Sequence, residues 1–346
     1  MKQKYNKICW RIGQEITPDT FIQADNYICG QHSLIRRLIA GKYYGLLPPP
    51  GETGAPSLTV RANVNNRDFY LENLSCFGTT EMGYLISFEN YPIGVASSSS
   101  LGVASRYAAA SPDSSLGVAS RYAASPDPPG VASRYAPLPA KLSIPDSAAS
   151  AFYVVLRINP YQQVLIEPVD NDEAPEAHAE YQLAIRELNQ IAADELAIVK
   201  IDNSHYSPAI DNDYIPPCMS VNACSNLLEV FESFQTLFTE IQSIIEHKKD
   251  QFGKMMYPLI LLHHELEGFS SGEPPIALVR LIKKFMATYR FFIPEVRNIA
   301  HPDALGEYCH DDVAIIFKSL LSSLHEVKMM VGKVEIVEEE DFTPKI

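Results

Sequence analysis

Two short clusters in the C-terminal half contain the residue types that bind metal ions or transfer protons. The first cluster is His263, His264 and Glu265, in a stretch with helical spacing. A helical zinc site needs two histidines four residues apart, because that spacing puts both imidazoles on one face. Adjacent histidines on a helix point about 100° apart and do not easily share one metal ion. We therefore interpret these side chains as solvated or capping groups.

The second cluster is Cys309, His310, Asp311 and Asp312, which follow one another directly. A zinc site would need partner ligands at finger-like spacing, and the sequence offers none. A carboxylate just before a helical pattern is typical of an N-cap, because it accepts hydrogen bonds from free backbone N–H groups. We therefore predict that Asp311 or Asp312 caps the last helix and that the chain has no metal site.

The sequence gives no sign of a phosphate-binding loop. Neither G-x-x-x-x-G-K-[ST] nor a G-x-G-x-x-G after a strand occurs. We also predict that the chain has no serine-hydrolase nucleophile. Because none of the common catalytic patterns is apparent, we predict no catalytic residues, no cofactor and no enzymatic activity. The open alternative is an enzyme whose site is assembled from scattered residues, which a deep pocket lined by several carboxylates or histidines would favour.

Length, charge and hydrophobicity limit the classes of partner. The chain has 346 residues, a formal net charge of −14 and 46% hydrophobic residues, which suits one or two globular domains. Nucleic acid and anionic membranes are unfavourable partners, because both need concentrated basic residues. Apolar runs such as Tyr257 to Leu262 are too short to span a bilayer, which takes roughly 20 residues, and no signal peptide is apparent. We predict a cytoplasmic protein with reduced cysteines, no nucleic-acid partner and no direct membrane insertion.

Residues 1–210 are predicted to form a β-sandwich. A stretch from Phe21 to Leu47 has a partial helical period, and the prolines that follow it stop the helix. Leu58 to Val64 then alternate apolar and polar residues, which is typical of a strand. Phe152 to Ile158 and Gln163 to Glu167 are predicted as two separate strands. With the remaining candidates the total is about seven or eight strands, the number of a β-sandwich.

A repeat tract at 93–139 interrupts this β-rich region. Gly-Val-Ala-Ser recurs at Gly94, Gly102, Gly117 and Gly130, at uneven spacing. Solenoid repeats keep a fixed period and carry enough apolar surface to stack, and these copies do neither. We predict a mobile surface loop inserted between two strands. A tyrosine-bearing binding motif presented in several copies is the alternative.

Residues 211–332 are predicted to form a helical bundle, followed by an acidic tail at 333–346. A first long helix is expected to begin near Ser220, with others at Met255–Glu267, Pro275–Phe292 and Asp311–Val331. The first helix carries large apolar residues at alternating spacings of three and four, the pattern of a coiled coil. We call this stripe the seam; its members are Cys224, Leu227, Phe231, Phe234, Phe238, Ile241 and Ile245.

The seam has to be buried against other helices, because large apolar side chains in a continuous stripe are costly in water. We predict that sister copies of the chain cover it around a common axis, which makes the protein a homotrimer. The alternative is a monomeric adaptor that folds the seam against its own helices.

The N-terminal segment contains Trp10, Gly13, Pro18, Phe21 and Gln23 in that order. This succession resembles the opening signature of the TssK family, the baseplate proteins of bacterial type VI secretion systems. The resemblance implies that these five residues belong to a surface that binds the TssF/TssG-like wedge proteins of the baseplate.

Later segments are similar to other elements of the same family. Tyr43 to Leu46 stands where the family has a Trp-Gly-Leu-like element, and Tyr214 to Pro217 precedes the long helix as at the family's shoulder–neck junction. Leu278 to Phe292, then His301–Pro302 and Tyr308, resemble its later helix, His-Pro and Tyr pattern.

The resemblance implies an α+β multidomain protein with an N-terminal β-sandwich shoulder and a C-terminal α-helical neck. It implies a homotrimeric, non-enzymatic baseplate subunit at the cytoplasmic face of the inner membrane. Family members continue into a C-terminal head, and too few residues follow Val331 to build one, so we expect a headless variant. A phage-tail-like receptor-binding or adaptor protein is the alternative.

Overall fold

The structure is a computed structural model, and it describes residues 7–13, 15–48, 56–89, 93–94, 138–139, 141–166, 176–204, 207–248, 256–299 and 301–333. Most of the repeat tract, at 95–137, and the acidic tail from 334 lie outside the described residues, so their interpretation stays a prediction. The two ends of the tract do lie side by side. Strands β5 (Ile93–Gly94) and β6 (Leu138–Pro139) pair with each other.

Two antiparallel sheets form the N-terminal half. The first is organised around β3, which pairs with all four of its neighbours in that sheet. Its strands are β1 (Gly45–Leu46), β2 (Leu58–Asn65), β3 (Asp68–Thr79), β4 (Leu85–Phe88) and β7 (Lys141–Ser143). The second has the order β11-β10-β8-β9. Its strands are β8 (Ala151–Ile166), β9 (Glu176–Arg186), β10 (Glu195–Asp202) and β11 (Ala209–Ile210).

The two sheets pack face to face, as alternation along the strands predicts. Every second residue of β8, from Phe152 to Ile158, is buried in the same core as Phe69 and Leu74 of β3. The Phe88 and Tyr181 rings meet across the interface, with centroids 4.8 Å apart. The predicted β-sandwich and the α+β class are therefore confirmed.

Strand β8 differs from the prediction of two strands in its region. It runs without a break from Ala151 to Ile166 and pairs with β9 along its length, with a register shift between Asn159 and Gln163. A bulge inserts extra residues without ending the strand, and polar residues at that position resemble a turn in sequence. The boundary that the sequence indicated is therefore a bulge.

Within the described residues, the C-terminal half contains four α-helices: α2 (Ser225–His247), α3 (Met256–Glu267), α4 (Pro275–Phe292) and α5 (Val313–Lys333). These bounds agree closely with the predicted helices. The start of the first is an exception, because Ser220 precedes a short 3-10 turn and Cys224 is the residue before α2.

The seam is buried inside its own chain, which corrects the prediction that sister copies cover it. The Phe234 ring packs against Phe317 of α5 at 5.9 Å between centroids. The Phe238 ring packs edge-on against Phe285 of α4 at 4.3 Å. All seven predicted seam residues have at most 8% of their surface exposed: Cys224, Leu227, Phe231, Phe234, Phe238, Ile241 and Ile245. Helices α4 and α5 supply complementary apolar faces, so the seam is intramolecular core.

The two halves share one core and meet at a tight junction. A bridge pairs Leu46 of β1 with Cys218, just before α2. Gly45 has a φ of +117° there, and a Cβ at that position would overlap the Pro217 carbonyl. Only glycine therefore allows β1 to approach the helical half this closely.

Helix α1 (Pro18–Ala40) lies apart from this core and is held to the sandwich near its C-terminal end. The Ser33 hydroxyl donates to the Met82 carbonyl, and Arg36 Nη1 donates to the Gly83 carbonyl at 3.1 Å. Gly83 has a φ of +78°, and an added Cβ would overlap the Ser33 carbonyl oxygen. One glycine turn therefore lets α1 approach the sandwich.

Candidate docking surfaces

The five predicted wedge-binding residues are close together and exposed. Thr17 is the N-cap of α1 and Pro18 its first residue, a position that suits proline because no N–H is needed there. Trp10 and Phe21, each at least half exposed, have ring centroids 6.3 Å apart. Gly13 and Gln23 are also exposed. The structure thus brings the predicted residues together at the start of α1.

An uncovered apolar stripe continues from this segment along α1. Phe21, Ile28 and Ile35 follow one another at seven-residue intervals, and Ile39 comes one turn later, so all four share a face. All are exposed, Ile39 by 83%. We call these four residues, with Trp10, the α1 stripe. A continuous apolar surface of this kind marks an interaction site. Its helical period is visible in the sequence, whereas its exposure is not.

A cleft of about 770 Å³ separates α1 from the outer face of the second sheet. Gln31 and Arg37 line it from α1, and Arg157 and Glu180 line it from the sheet. Arg157 Nε lies 2.8 Å from an Asp194 carboxylate oxygen. Sequence reasoning missed this cleft, because it exists only where α1 crosses the sheet.

Helix α3 is apolar on two sides. Leu259 and Leu262 are buried in the bundle, whereas Tyr257 and Leu261 are 76% and 60% exposed. Ile260 adds to the exposed side, and we call Tyr257, Ile260 and Leu261 the α3 face. A helix that is apolar all round is normally covered on all sides. The α3 face is therefore a second candidate docking surface.

His263 is a core residue, which corrects its interpretation as a solvated or capping group. It is buried, and its Nε2 lies 3.0 Å from the Tyr289 hydroxyl oxygen. Burial lowers the pKa of His263 to about 4, so the imidazole is neutral at pH 7. His264 faces solvent on another side of α3, where its Nδ1 lies 3.1 Å from a Glu267 oxygen. The two imidazoles therefore diverge, as helix geometry requires.

The second cluster joins the two halves of the molecule instead of capping α5. The Tyr44 hydroxyl donates to Asp311, and Lys200 Nζ lies 3.7 Å from an Asp312 oxygen. Neither carboxylate accepts a hydrogen bond from the first turn of α5 among the described residues, so the N-cap prediction is wrong. Within the described ranges, no group of three or more His, Cys, Asp or Glu side chains could hold a metal ion.

One catalytic-looking pattern was overlooked in predicting no serine nucleophile. Gly268 to Gly272 reads Gly-Phe-Ser-Ser-Gly, which has the G-x-S-x-G spacing. A nucleophile elbow needs a strand before this turn and a helix after it, and here the turn joins α3 to α4. The Ser270 hydroxyl oxygen accepts a hydrogen bond from the Gly272 N–H at 3.2 Å. The pattern therefore forms an ordinary helix–helix turn.

None of the helices within the described residues is both long and apolar enough to cross a membrane.

The overall shape is similar to solved structures of baseplate proteins. The crystal structure of TssK superposes with a TM-score of 0.57 at 14% identity, over 94% of this chain and 72% of that one. A chain of the type VI secretion TssK-TssF-TssG baseplate subcomplex gives 0.56 at 14% identity, over 94% and 100%. A chain of a type VI baseplate complex gives 0.55 at 13%, over 94% and 99%. The sequence itself matches no family model and no curated protein. From its β-sandwich through its helical bundle, this chain has the TssK fold.

Proposed function

We propose that this chain is a structural baseplate subunit of a contractile type VI secretion system and has no enzymatic role. The observation that supports this is the fold match over 94% of the chain to a chain of the TssK-TssF-TssG subcomplex. The proposal puts the subunit at the cytoplasmic face of the inner membrane, without inserting into the bilayer. We name residues 1–210 the shoulder and residues 211–332 the neck.

The shoulder binds a TssF/TssG-like wedge through the α1 stripe. Aromatic residues dominate binding energy when a partner buries them, and Trp10 and Phe21 stand together and largely uncovered. Gly13, Pro18 and Gln23 flank this pair on the same exposed segment and complete the predicted contact. Ile28, Ile35 and Ile39 extend the apolar surface along the helix.

The chain forms a homotrimer through the α3 face. The seam cannot provide this contact, because helices of the same chain already cover it. Tyr257, Ile260 and Leu261 offer an apolar neck surface that is still free. Three copies around one axis would bury it in a closed ring, as cyclic assemblies do.

Two double variants test the two contacts separately. The chain is purified with TssF- and TssG-like proteins of the same genome, and wedge capture and molar mass are measured. Replacing Trp10 and Phe21 by Ala should abolish wedge capture and leave a trimer. Replacing Tyr257 and Leu261 by Asp should give a monomer in light scattering.

Ile12→Ala is the matched control for the first variant, because Ile12 is fully exposed in the same segment and lies outside the α1 stripe. Undiminished capture by the Trp10/Phe21 variant would refute the wedge surface. A wild-type chain with the mass of a single copy would refute the trimer. A wild-type chain that captures neither wedge protein would refute the proposal that this chain is a baseplate subunit.

A further inference from the structure

A pocket of about 330 Å³ lies at the junction between shoulder and neck. Three tyrosines form much of its lining: Tyr43 and Tyr44 from the segment before β1, and Tyr308 from the segment before α5. Three carboxylates lie at the same pocket, Glu81, Glu195 and Asp311, and Glu195 is already paired with Arg186. We call it the junction pocket. It combines aromatic surface with negative charge in a concave site.

His310 holds the aromatic side chains in place. Its ring lies 5.3 Å from the Tyr43 ring and 5.1 Å from the Tyr44 ring, both edge-on. Its Nδ1 is 2.9 Å from the Tyr308 hydroxyl oxygen. Burial lowers the pKa of His310 below its ordinary value, so the imidazole is neutral at pH 7. The centre of the cluster therefore adds no positive charge that would repel a cation.

The charges at the pocket favour a cation. Burial, the hydrogen bond to Asp311 and the negative charges of Asp311 and Glu81 raise the pKa of Tyr44 above its ordinary value. Asp311 accepts a hydrogen bond from Tyr44. Glu81 is exposed, and its carboxylate has no hydrogen-bond or ion-pair partner among the described residues. An anion would be repelled here, and an apolar ligand would strip water from Glu81 without pairing it.

The chain itself shows that a cation can occupy this aromatic surface. Lys42 Nζ lies 5.7 Å from the centroid of the Tyr43 ring, within the range of a cation–π contact. Lys42 is exposed and lies at the rim of the pocket. A planar guanidinium suits the interior better than an ammonium, because it stacks on aromatic rings and pairs with a carboxylate through two parallel hydrogen bonds.

We propose that the junction pocket binds an arginine side chain of a partner protein, between the tyrosine rings and the Glu81 carboxylate. The proposal goes beyond the baseplate function above, because no residue of this pocket belongs to the α1 stripe or the α3 face. It adds a third contact, at the joint of the two halves, whose specificity is electrostatic.

The test uses the full chain and two small probes of the same shape. N-acetyl-arginine amide carries the guanidinium, and N-acetyl-citrulline amide replaces it with a neutral urea group. Binding is followed by saturation-transfer NMR and by titration calorimetry. The arginine probe should bind saturably and the citrulline probe should not. Glu81→Gln should weaken binding of the arginine probe by about tenfold, the loss expected for one charge-assisted contact.

Glu89→Gln is the matched control, because it removes the same charge from another exposed site of the shoulder. Tyr43→Ala tests the aromatic surface, and its thermal unfolding is measured beside its binding. If Tyr43→Ala does not fold, the exposed Glu81 and Glu89 substitutions still decide the outcome. Equal binding of both probes, equal weakening by the two Glu variants, or no saturable binding would each overturn the proposal.

Discussion

Helices α1 and α2 have the same length, 23 residues, and opposite surroundings. In α2, the seam is buried against two other helices of the chain. In α1, the buried residues are the polar Asn26 and Ser33, whereas the apolar stripe is exposed. An apolar stripe in the sequence therefore does not show whether the same chain covers that face of the helix.

The order of elements explains the difference. Helices α4 and α5 follow α2 along the chain, and their aromatic residues Phe285 and Phe317 pack against its seam. Helix α1 precedes the sandwich and contacts it at β8 and, through hydrogen bonds from Ser33 and Arg36, at the β3–β4 turn. The chain thus covers the seam of α2 by itself, whereas the α1 stripe stays exposed within the described residues.

Removing a seam side chain should have the largest effect on stability. Phe238→Ala deletes a ring that is 1% exposed and packs against Phe285, so the free energy of unfolding should fall by about 3–5 kcal/mol. Urea denaturation followed by circular dichroism measures this loss.

Gln235→Ala is the control, because it lies on the exposed side of the same helix and should change stability by less than about 0.5 kcal/mol. A Phe238→Ala chain that keeps its stability and only changes its oligomeric state would mean that sister copies cover the seam after all.

The sequence predicts the elements of this fold better than their contacts. Alternation from Leu58 to Val64 and the helical period of the seam depend on local geometry, and both predictions agree with the structure. The cover of the seam depends on contacts with residues far along the chain, such as Phe317, and local spacing carries no such information. The same reason applies to His263, whose neighbours Phe285 and Tyr289 lie on another helix.

The predicted wedge-binding residues came from a family resemblance, and the structure places them together at the start of α1. Spacing alone would not have singled out Trp10 or Phe21. The junction pocket was missed for a physical reason. Its tyrosines come from residues 43–44 and 308, and only the packing of the two halves brings them into contact.

Acidification should weaken the bundle that covers α2, with the second-largest effect. His263 has a pKa of about 4 in the folded chain and 6.5 when unperturbed. Its pKa is lowered by folding, so the stability it contributes is present above pH 6.5 and is lost as the pH falls toward 4. The loss should be roughly 3 kcal/mol, at 1.36 kcal/mol for each pKa unit.

His263→Gln removes the titrating group and keeps a side chain that can bond to Tyr289. Stability measured from pH 7 to pH 4 should therefore fall less steeply in this variant than in the wild type. His264→Gln, on the exposed side of α3, should retain the wild-type slope. Identical slopes for wild type and His263→Gln would show that another group, such as His310, carries the acid sensitivity.

Changing the α1 stripe should have the smallest effect on stability and a large one on binding. Ile35→Ser combined with Ile39→Ser should change the free energy of unfolding by less than about 1 kcal/mol, because Ile35 is already half exposed and Ile39 is almost entirely exposed. Isoleucine and serine have similar helix propensities, so the substitutions change the apolar surface of α1 without weakening the helix itself. Wedge capture should fall, while Glu89→Gln, at an exposed polar position of the shoulder away from α1, should leave it unchanged. If the free energy of unfolding fell by several kcal/mol in the double variant, other parts of this chain would have to cover the α1 stripe, as they cover the seam of α2.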